Sequence, residues 1–461
     1  MAELKKYNIN RIMIAGIKSG SGKTTLTVAL LDILKKRGMK VKSFKCGPDY
    51  IDPIFHETVF GVPSKNLDTF FTPSKEGIRK SFIWEMESGN ESDIAVIEGV
   101  MGLYDGVSPT KDEGSSYEVA SFLDCPIILV ADVKGMGRSM IPMLSGFLKY
   151  DTSDLIKGVV LNRISDNYYE KIAPVLEEEL GIRVLGHLGA EKKAGLESRH
   201  LGLILPEHEE AVKEKLGLMT EMVSGGIDID SIVKMSQRAP SLAVFEDVTE
   251  DLRVNYLTGK RKVLVARDEA FNFYYKDNLA MLEDHGARIG FFSPLRDESI
   301  DTDTDVIIFG GGYPELFVKR LSDNKAMLES THEAYDRGVM LLAECGGFMY
   351  LQKSIEKDGR EYEMCNIFDG VCRDMKKSVR FGYIEIYDKT GIFIPEGESI
   401  KGHEFHYWDC DKNGEDAKAV KVSSNVVYDC CFISERCFAG FPHLYYPSNP
   451  WAVSKILSRN L

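Results

Sequence analysis

Residues 14–25 read Ile14-Ala15-Gly16-Ile17-Lys18-Ser19-Gly20-Ser21-Gly22-Lys23-Thr24-Thr25, a glycine-rich turn and a lysine set between an apolar run and an amphipathic one. Arg11 to Gly16 predicts a buried strand. Lys23 to Arg37 predicts a helix with Leu26, Ala29, Leu30, Ile33 and Leu34 on one face and Gly38 past its end. In a strand, loop and helix of this kind the backbone N–H groups and the positive helix end face phosphate oxygens. Gly20 and Gly22, on either side of Ser21, allow a close backbone approach that a Cβ would block. Lys23 then neutralises the transferred group, and Thr24, followed by Thr25, offers a hydroxyl to magnesium. The position five before Gly22 is Ile17, and Lys18 stands five before Lys23. That spacing belongs to a lysine-bearing variant loop found in a subgroup of nucleotide-dependent enzymes, some of which act as dimers. Nucleotide binding is the first expectation.

At 461 residues the chain exceeds what one core usually organises, so two domains are expected. The 44 % hydrophobic and 28 % charged shares suit filled cores. No apolar run is long enough to span a bilayer and no signal-peptide pattern opens the chain, which predicts a soluble, cytoplasmic protein without a membrane partner. Nine cysteines lack the paired spacing of a zinc site or a disulfide scaffold. Most are expected to be small core residues. A net charge of −14 argues against nucleic acid, which requires concentrated Lys and Arg.

From Arg11 to Gly189 apolar runs alternate with helical patterns: Lys40 to Gly47, Ile94 to Val100, Pro126 to Asp132, Ile156 to Asn162 and Arg183 to Gly189. The alternation predicts an α/β fold with a mostly parallel sheet, which binds ligands beyond the carboxyl ends of its strands. The distinctive segments Lys45 to Pro53 and Glu98 to Gly106 fall there. After Pro206 the pattern becomes charged and helical, and a second α/β series begins at Lys262 and continues through Ala287 to Ser293, Asp305 to Phe309 and Val339 to Ala343. The boundaries expected are 1–238, a linker at 239–260, and 261–461.

In Leu341-Leu342-Ala343-Glu344-Cys345-Gly346-Gly347-Phe348 a strand turns sharply into a helix with a cysteine at the corner. The corner exposes the sulfur, the glycines permit substrate approach, and the helix N-terminus is expected to lower the thiol pKa. Phe309-Gly310-Gly311-Gly312-Tyr313-Pro314-Glu315 offers backbone N–H groups for an oxyanion, with Gly311, Gly312 and Gly346 the candidates. A base is needed, and His403, His406 and His443 all qualify by pattern.

Taken in order, Gly16 to Thr25, Phe44 to Pro53, Glu98 to Gly106, Ser198 to Leu203, Arg267 to Tyr275, Gly310 to Leu316, Glu344 to Leu351 and Gly402 to Tyr407 resemble the cobyrinic acid a,c-diamide synthase family over nearly the whole chain. The resemblance implies an ATP-dependent amidoligase domain related to dethiobiotin synthetase, then a class I type glutaminase domain. It makes Cys345 the glutaminase nucleophile and His443 its base, with His403, Glu404 and His406 in a neighbouring motif. The usual acid two residues after the histidine is absent, since that residue is Tyr445. In the first domain Lys23 and Lys45 resemble lysines that contact the transferred phosphoryl group. Thr24, Asp49 and Glu98 resemble ligands of Mg2+, and Asn162 resembles an adenine-reading amide.

The implied reaction is glutamine- and ATP-dependent amidation of the a and c acetates of cobyrinic acid in cobalamin biosynthesis, through acyl phosphates. Its ammonia would pass to the acid by an enclosed route. Such a substrate carries many carboxylates, and Arg199 and His200 are the candidates to meet them. A homodimer is the default for such enzymes. The motifs are shared with amidases of nickel-sirohydrochlorin and hydrogenobyrinic acid. A reading of another class is a nucleotide-switched regulatory or assembly ATPase carrying a non-catalytic glutaminase fold.

Overall fold

The computed structural model describes residues 3–89, 91–189, 209–246 and 261–458. The chain divides into two compact units, Met1–Glu250 and Asp251–Leu461. The strands of the first unit are β1 (Glu3–Tyr7), β2 (Arg11–Gly16), β3 (Val41–Cys46), β4 (Ser64–Leu67), β5 (Ile94–Glu98), β6 (Ile127–Asp132), β7 (Ile156–Asn162), β8 (Arg183–Leu188) and β9 (Leu242–Glu246). Seven of them form one parallel sheet in the order β4-β3-β5-β2-β6-β7-β8.

Burial on both faces explains why these strands read as continuous apolar runs. Met13 and Ala15 of β2 pack into one core with the helix Lys75–Glu87, while Ile12 and Ile14 pack into the other with the helix Lys23–Lys36. The latter helix ends as the sequence indicates, with Gly38 at φ +80° just beyond it. Edge strand β4 was not expected, because Ser64-Lys65-Asn66-Leu67 has no apolar signature. Neither was the antiparallel pair β1 and β9, whose second member lies in the stretch read as linker. The buried Arg11 fastens that stretch: its guanidinium donates to the carbonyls of Leu123, Ile9, Asp124 and Pro240.

In the second unit β10 (Arg261–Ala266), β11 (Ala287–Phe292), β12 (Val306–Phe309) and β13 (Met340–Glu344) run parallel, with the strand Cys437–Gly440 beside β13 and Phe432–Ser434 antiparallel at the edge. A five-stranded antiparallel sheet that includes Arg380–Asp388 and Ile400–His406 packs Ile384, Ile386 and Ile400 against Val263, Val306 and Leu342. A mixed four-stranded sheet completes the unit.

Cys372 and Cys410 face each other across two antiparallel strands and form a disulfide, a single bond that the spacing argument against a disulfide scaffold did not anticipate. Spacing could not show it, because the two are 38 residues apart. The seven other cysteines, Cys345 included, are free and buried. No helix among the described residues is long and apolar enough to cross a membrane.

Candidate active sites

Beyond β2 the chain turns through Gly20 and Gly22 at φ +71° and +99°, conformations that favour glycine. Ser21 closes the turn, donating to the Lys18 carbonyl at 2.8 Å and accepting from the Lys18 N–H at 3.2 Å. Lys23 opens the helix, and its Nζ donates to the carbonyls of Met101 and Lys18. Burial, then the charge of Lys45, lowers its pKa to about 8. An anion brought to the loop reverses that pressure.

The registers of β3 and β5 place Lys45 opposite Glu98 at the carboxyl edge of the sheet. There Lys45 Nζ donates to Asp52 Oδ2 and to Glu98 Oε1 at 3.0 Å, and Asp49 lies 3.8 Å away. Burial opposes a charge on Lys45, yet the three carboxylates outweigh it and hold the ammonium well above its usual range. Burial pushes Glu98 up to about 7, and burial with Asp52 nearby pushes Asp49 up to about 6. Thr24 Oγ1 donates to Glu98 Oε1 at 2.6 Å, joining the loop to this cluster.

These residues fit a magnesium ion. Thr24, Asp49 and Glu98 are hard oxygen donors, and Glu98 Oε2 is buried with no hydrogen-bond partner among the described residues. No three metal-binding side chains converge among those residues, so phosphate oxygens and water would complete the shell, as magnesium usually requires. Asp52 escaped the sequence reading although it stands three residues after Asp49, one turn along the same helix start.

Asn162, read as an adenine reader, is placed against the loop: its Nδ2 donates to the Ser21 carbonyl at 2.8 Å, and a Cβ on Gly22 would meet that nitrogen at 2.4 Å. Lys18 pairs with Asp132 of its own chain at 2.9 Å, and Arg163 shares that carboxylate. Arg199 and His200 lie outside the described residues.

In the second unit β13 ends at Glu344, and Cys345 makes the corner at φ 49° and ψ −104°, with helix Gly346–Leu351 following. A positive φ at a non-glycine residue costs about 1–3 kcal/mol and is held by its surroundings. Here the Cys345 N–H donates to the Gly440 carbonyl at 2.9 Å and the Gly347 N–H to the Gly310 carbonyl at 3.0 Å. The second contact brings the Gly310 to Gly312 turn onto the corner, where a Cβ on Gly346 would meet the Gly312 nitrogen at 3.1 Å. The same turn abuts His443, since a Cβ on Gly311 would lie 2.3 Å from His443 Cε1. The fold therefore gathers Cys345, Gly311, Gly312, Gly346 and His443.

The expectation of a lowered thiol pKa is corrected. Burial, with the negative charge of Glu315, raises Cys345 above its usual range, and a six-residue helix does not offset both. His443 is held neutral, well below its usual value, by burial and then by His403 and His406. The resting pair is thus an uncharged thiol and an uncharged imidazole. The ring of His403 stacks on that of His443 with centroids 4.8 Å apart, and Tyr275 hydrogen-bonds its Nδ1 at 3.0 Å. His406 is turned aside: its Nδ1 meets the Trp408 carbonyl at 2.6 Å and its ring stacks on Phe441. Of the three histidines, His443 is the one against the glycine turn.

A phosphate-binding loop beside a lysine paired with carboxylates, joined in one chain to a cysteine–histidine glutaminase fold, defines a glutamine-dependent amidating ligase. The comparisons agree: residues 12–203 match the CobQ/CobB/MinD/ParA nucleotide binding domain and residues 262–451 the CobB/CobQ-like glutamine amidotransferase domain. Similar full-length proteins are the cobyrinate a,c-diamide synthases of Caldanaerobacter subterraneus subsp. tengcongensis, 37 % identical over 97 % of this chain and 97 % of that one, and of Listeria innocua, 36 % identical over 96 % and 97 %. That of Fusobacterium nucleatum is 38 % identical over 94 % and 97 %. The chain belongs to the cobyrinate a,c-diamide synthase family.

Proposed function

We propose that the protein amidates the a and c acetates of cobyrinic acid in cobalamin biosynthesis, using ATP to activate each carboxylate and glutamine as the nitrogen donor. The observation that carries this reading is that both sites are intact in one chain of this family: the Lys45, Asp52 and Glu98 cluster in one unit, and the Cys345 corner with His443 in the other.

A carboxylate does not react with ammonia near neutral pH, because it is negative and its oxygen is a poor leaving group. In the first unit the loop amides and Lys23 hold the phosphates, and Lys45 faces the transferred group as a fixed cation. Thr24, Asp49 and Glu98 would hold magnesium, which supplies charge neutralisation at the phosphoryl oxygens. An acetate oxygen takes the γ-phosphoryl group and ADP leaves. Ammonia then adds to the acyl carbon, phosphate departs, and an amide remains.

The second unit makes the ammonia. Cys345 passes its proton to His443 and attacks the side-chain amide of glutamine, and the Gly311, Gly312 and Gly346 amides receive the oxyanion. His443 returns the proton to the leaving ammonia, and water cleaves the thioester to glutamate. A neutral resting pair suits this unit, because charge forms only when glutamine is there to use it.

Purified protein with magnesium-ATP, glutamine and either cobyrinic acid or nickel-sirohydrochlorin, read by mass spectrometry, tests the substrate. The expected result is two amides on cobyrinic acid. Amidation of the nickel macrocycle alone would keep the chemistry and change the pathway. Amidation of neither, with ATP still hydrolysed, would favour the nucleotide-switch reading.

A further inference from the structure

The residue two after His443 is Tyr445, whose hydroxyl donates to Asp277 Oδ2 at 3.0 Å, so the customary acid is absent from that position. A carboxylate reaches the imidazole from elsewhere. The parallel pairing of β13 with Cys437–Gly440 sets Glu344 opposite Gly440, three residues before His443. Glu344 is buried, and its position is defined by the Leu444 N–H and by the Tyr446 hydroxyl, which donates to Oε1 at 3.3 Å. Its other oxygen, Oε2, lies 3.9 Å from His443 Nδ1.

We propose that Glu344, the residue immediately before the nucleophile, is the positioning residue that orients His443 and meets the charge it acquires from Cys345. The inference rests on the glutaminase reading above. With Nδ1 directed at Glu344, Nε2 is the nitrogen that takes the thiol proton and later gives it to the departing ammonia. Glu344 acts in its carboxylate form and takes no proton from the thiol. His403 restrains the ring by stacking but supplies no charge, since burial lowers its pKa to about 3.

The charged groups around this site divide by what they act on. Glu315, Glu404 and, more weakly, Glu344 itself oppose ionisation of the thiol, while a proton on His403 or His406 would oppose a charge on His443. Tyr274 and Tyr446 flank Glu344, whose pKa burial pushes up to about 8. Against that background an imidazolium about 4 Å from Glu344 favours the carboxylate, and the carboxylate favours the imidazolium.

The test uses the full chain and compares wild type, Glu344→Gln and Glu344→Asp. Glutamine hydrolysis is measured together with the pH dependence of Cys345 alkylation by iodoacetamide. Glu344→Gln is expected to lower kcat by about 10²-fold, the lower range for loss of an acid–base element, with KM little changed. Its alkylation profile should move up, because losing the carboxylate's support for the imidazolium at 3.9 Å outweighs relief of its weaker repulsion of the thiolate. Glu344→Asp should restore part of both, which a purely structural role would not predict. Wild-type kcat and alkylation profile in Glu344→Gln would overturn the inference. Should that variant unfold by circular dichroism, Tyr446→Phe is read instead: a smaller shift of the same profile supports the inference, and none overturns it. A wild-type protein without glutaminase activity would overturn the underlying reading and this inference together.

Discussion

The two sites stand at the same place in two parallel sheets, yet they treat charge in opposite ways. Beyond β3 and β5, Lys45 is buried among Asp49, Asp52 and Glu98, so a standing ammonium is paired with carboxylates. Beyond β13, Cys345 and His443 are buried and neutral. The difference follows from the reactants. A nucleotide arrives with its charge and must be met by charge already in place, whereas a thiol must become charged only as its proton moves. Burial serves both ends: it strengthens ion pairs in one unit and suppresses premature ionisation in the other.

The sharpest way to break the comparison is Cys345→Ala. Glutamine-dependent amidation should fall by at least about 10³-fold, as for loss of other covalent nucleophiles. Ammonium salts should restore it, as read by product mass. Lys45→Met is expected next. It leaves buried carboxylates without their cation, at a cost of about 3–5 kcal/mol to the first unit in urea unfolding. Amidation should be lost with ammonium as well as with glutamine.

Gly311→Ala sharpens the comparison from the other side. A Cβ 2.3 Å from His443 Cε1 must displace the ring. Glutamine hydrolysis should drop by about 10- to 100-fold, the usual cost of a misplaced catalytic group. ATP use with ammonium should be retained.

The smallest effect is on stability. Glu344 has a folded pKa of about 8, above its ordinary 4.5, so the folded state binds the proton more tightly than the unfolded chain. Its contribution is full below pH 4.5 and is lost as pH rises through about 8. Glu344→Gln cannot ionise and escapes that loss. Its Tm should gain on wild type by about 2–4 °C between pH 5 and 8.5, for each kcal/mol relieved in a unit of this size.

Much of this was legible in the chain because function sits at strand ends. Ile156 to Asn162 and Arg11 to Gly16 emerge with the bounds that apolar runs imply. The loop around Lys23 and the Cys345 corner are contiguous, so both could be read locally. What escaped depends on contacts distant in sequence. Asp52 matters because Lys45 reaches it across a turn, and Glu344 because pairing with Gly440 brings it to His443. Asn162 carried an amide whose partner, the Ser21 carbonyl, is 141 residues away. The thiol pKa was misread for the same reason, since the burial that raises it, and then Glu315, come from other segments.

The most direct test of the division of labour follows the nitrogen. Wild-type protein is given cobyrinic acid, magnesium-ATP, glutamine labelled with 15N in its side-chain amide, and an equal concentration of unlabelled ammonium. The account predicts a product with two added amides, both carrying predominantly 15N, and a Cys345→Ala product carrying only the unlabelled isotope. A wild-type product with the isotope content of the free ammonium, or no product while glutamine is hydrolysed, would contradict it.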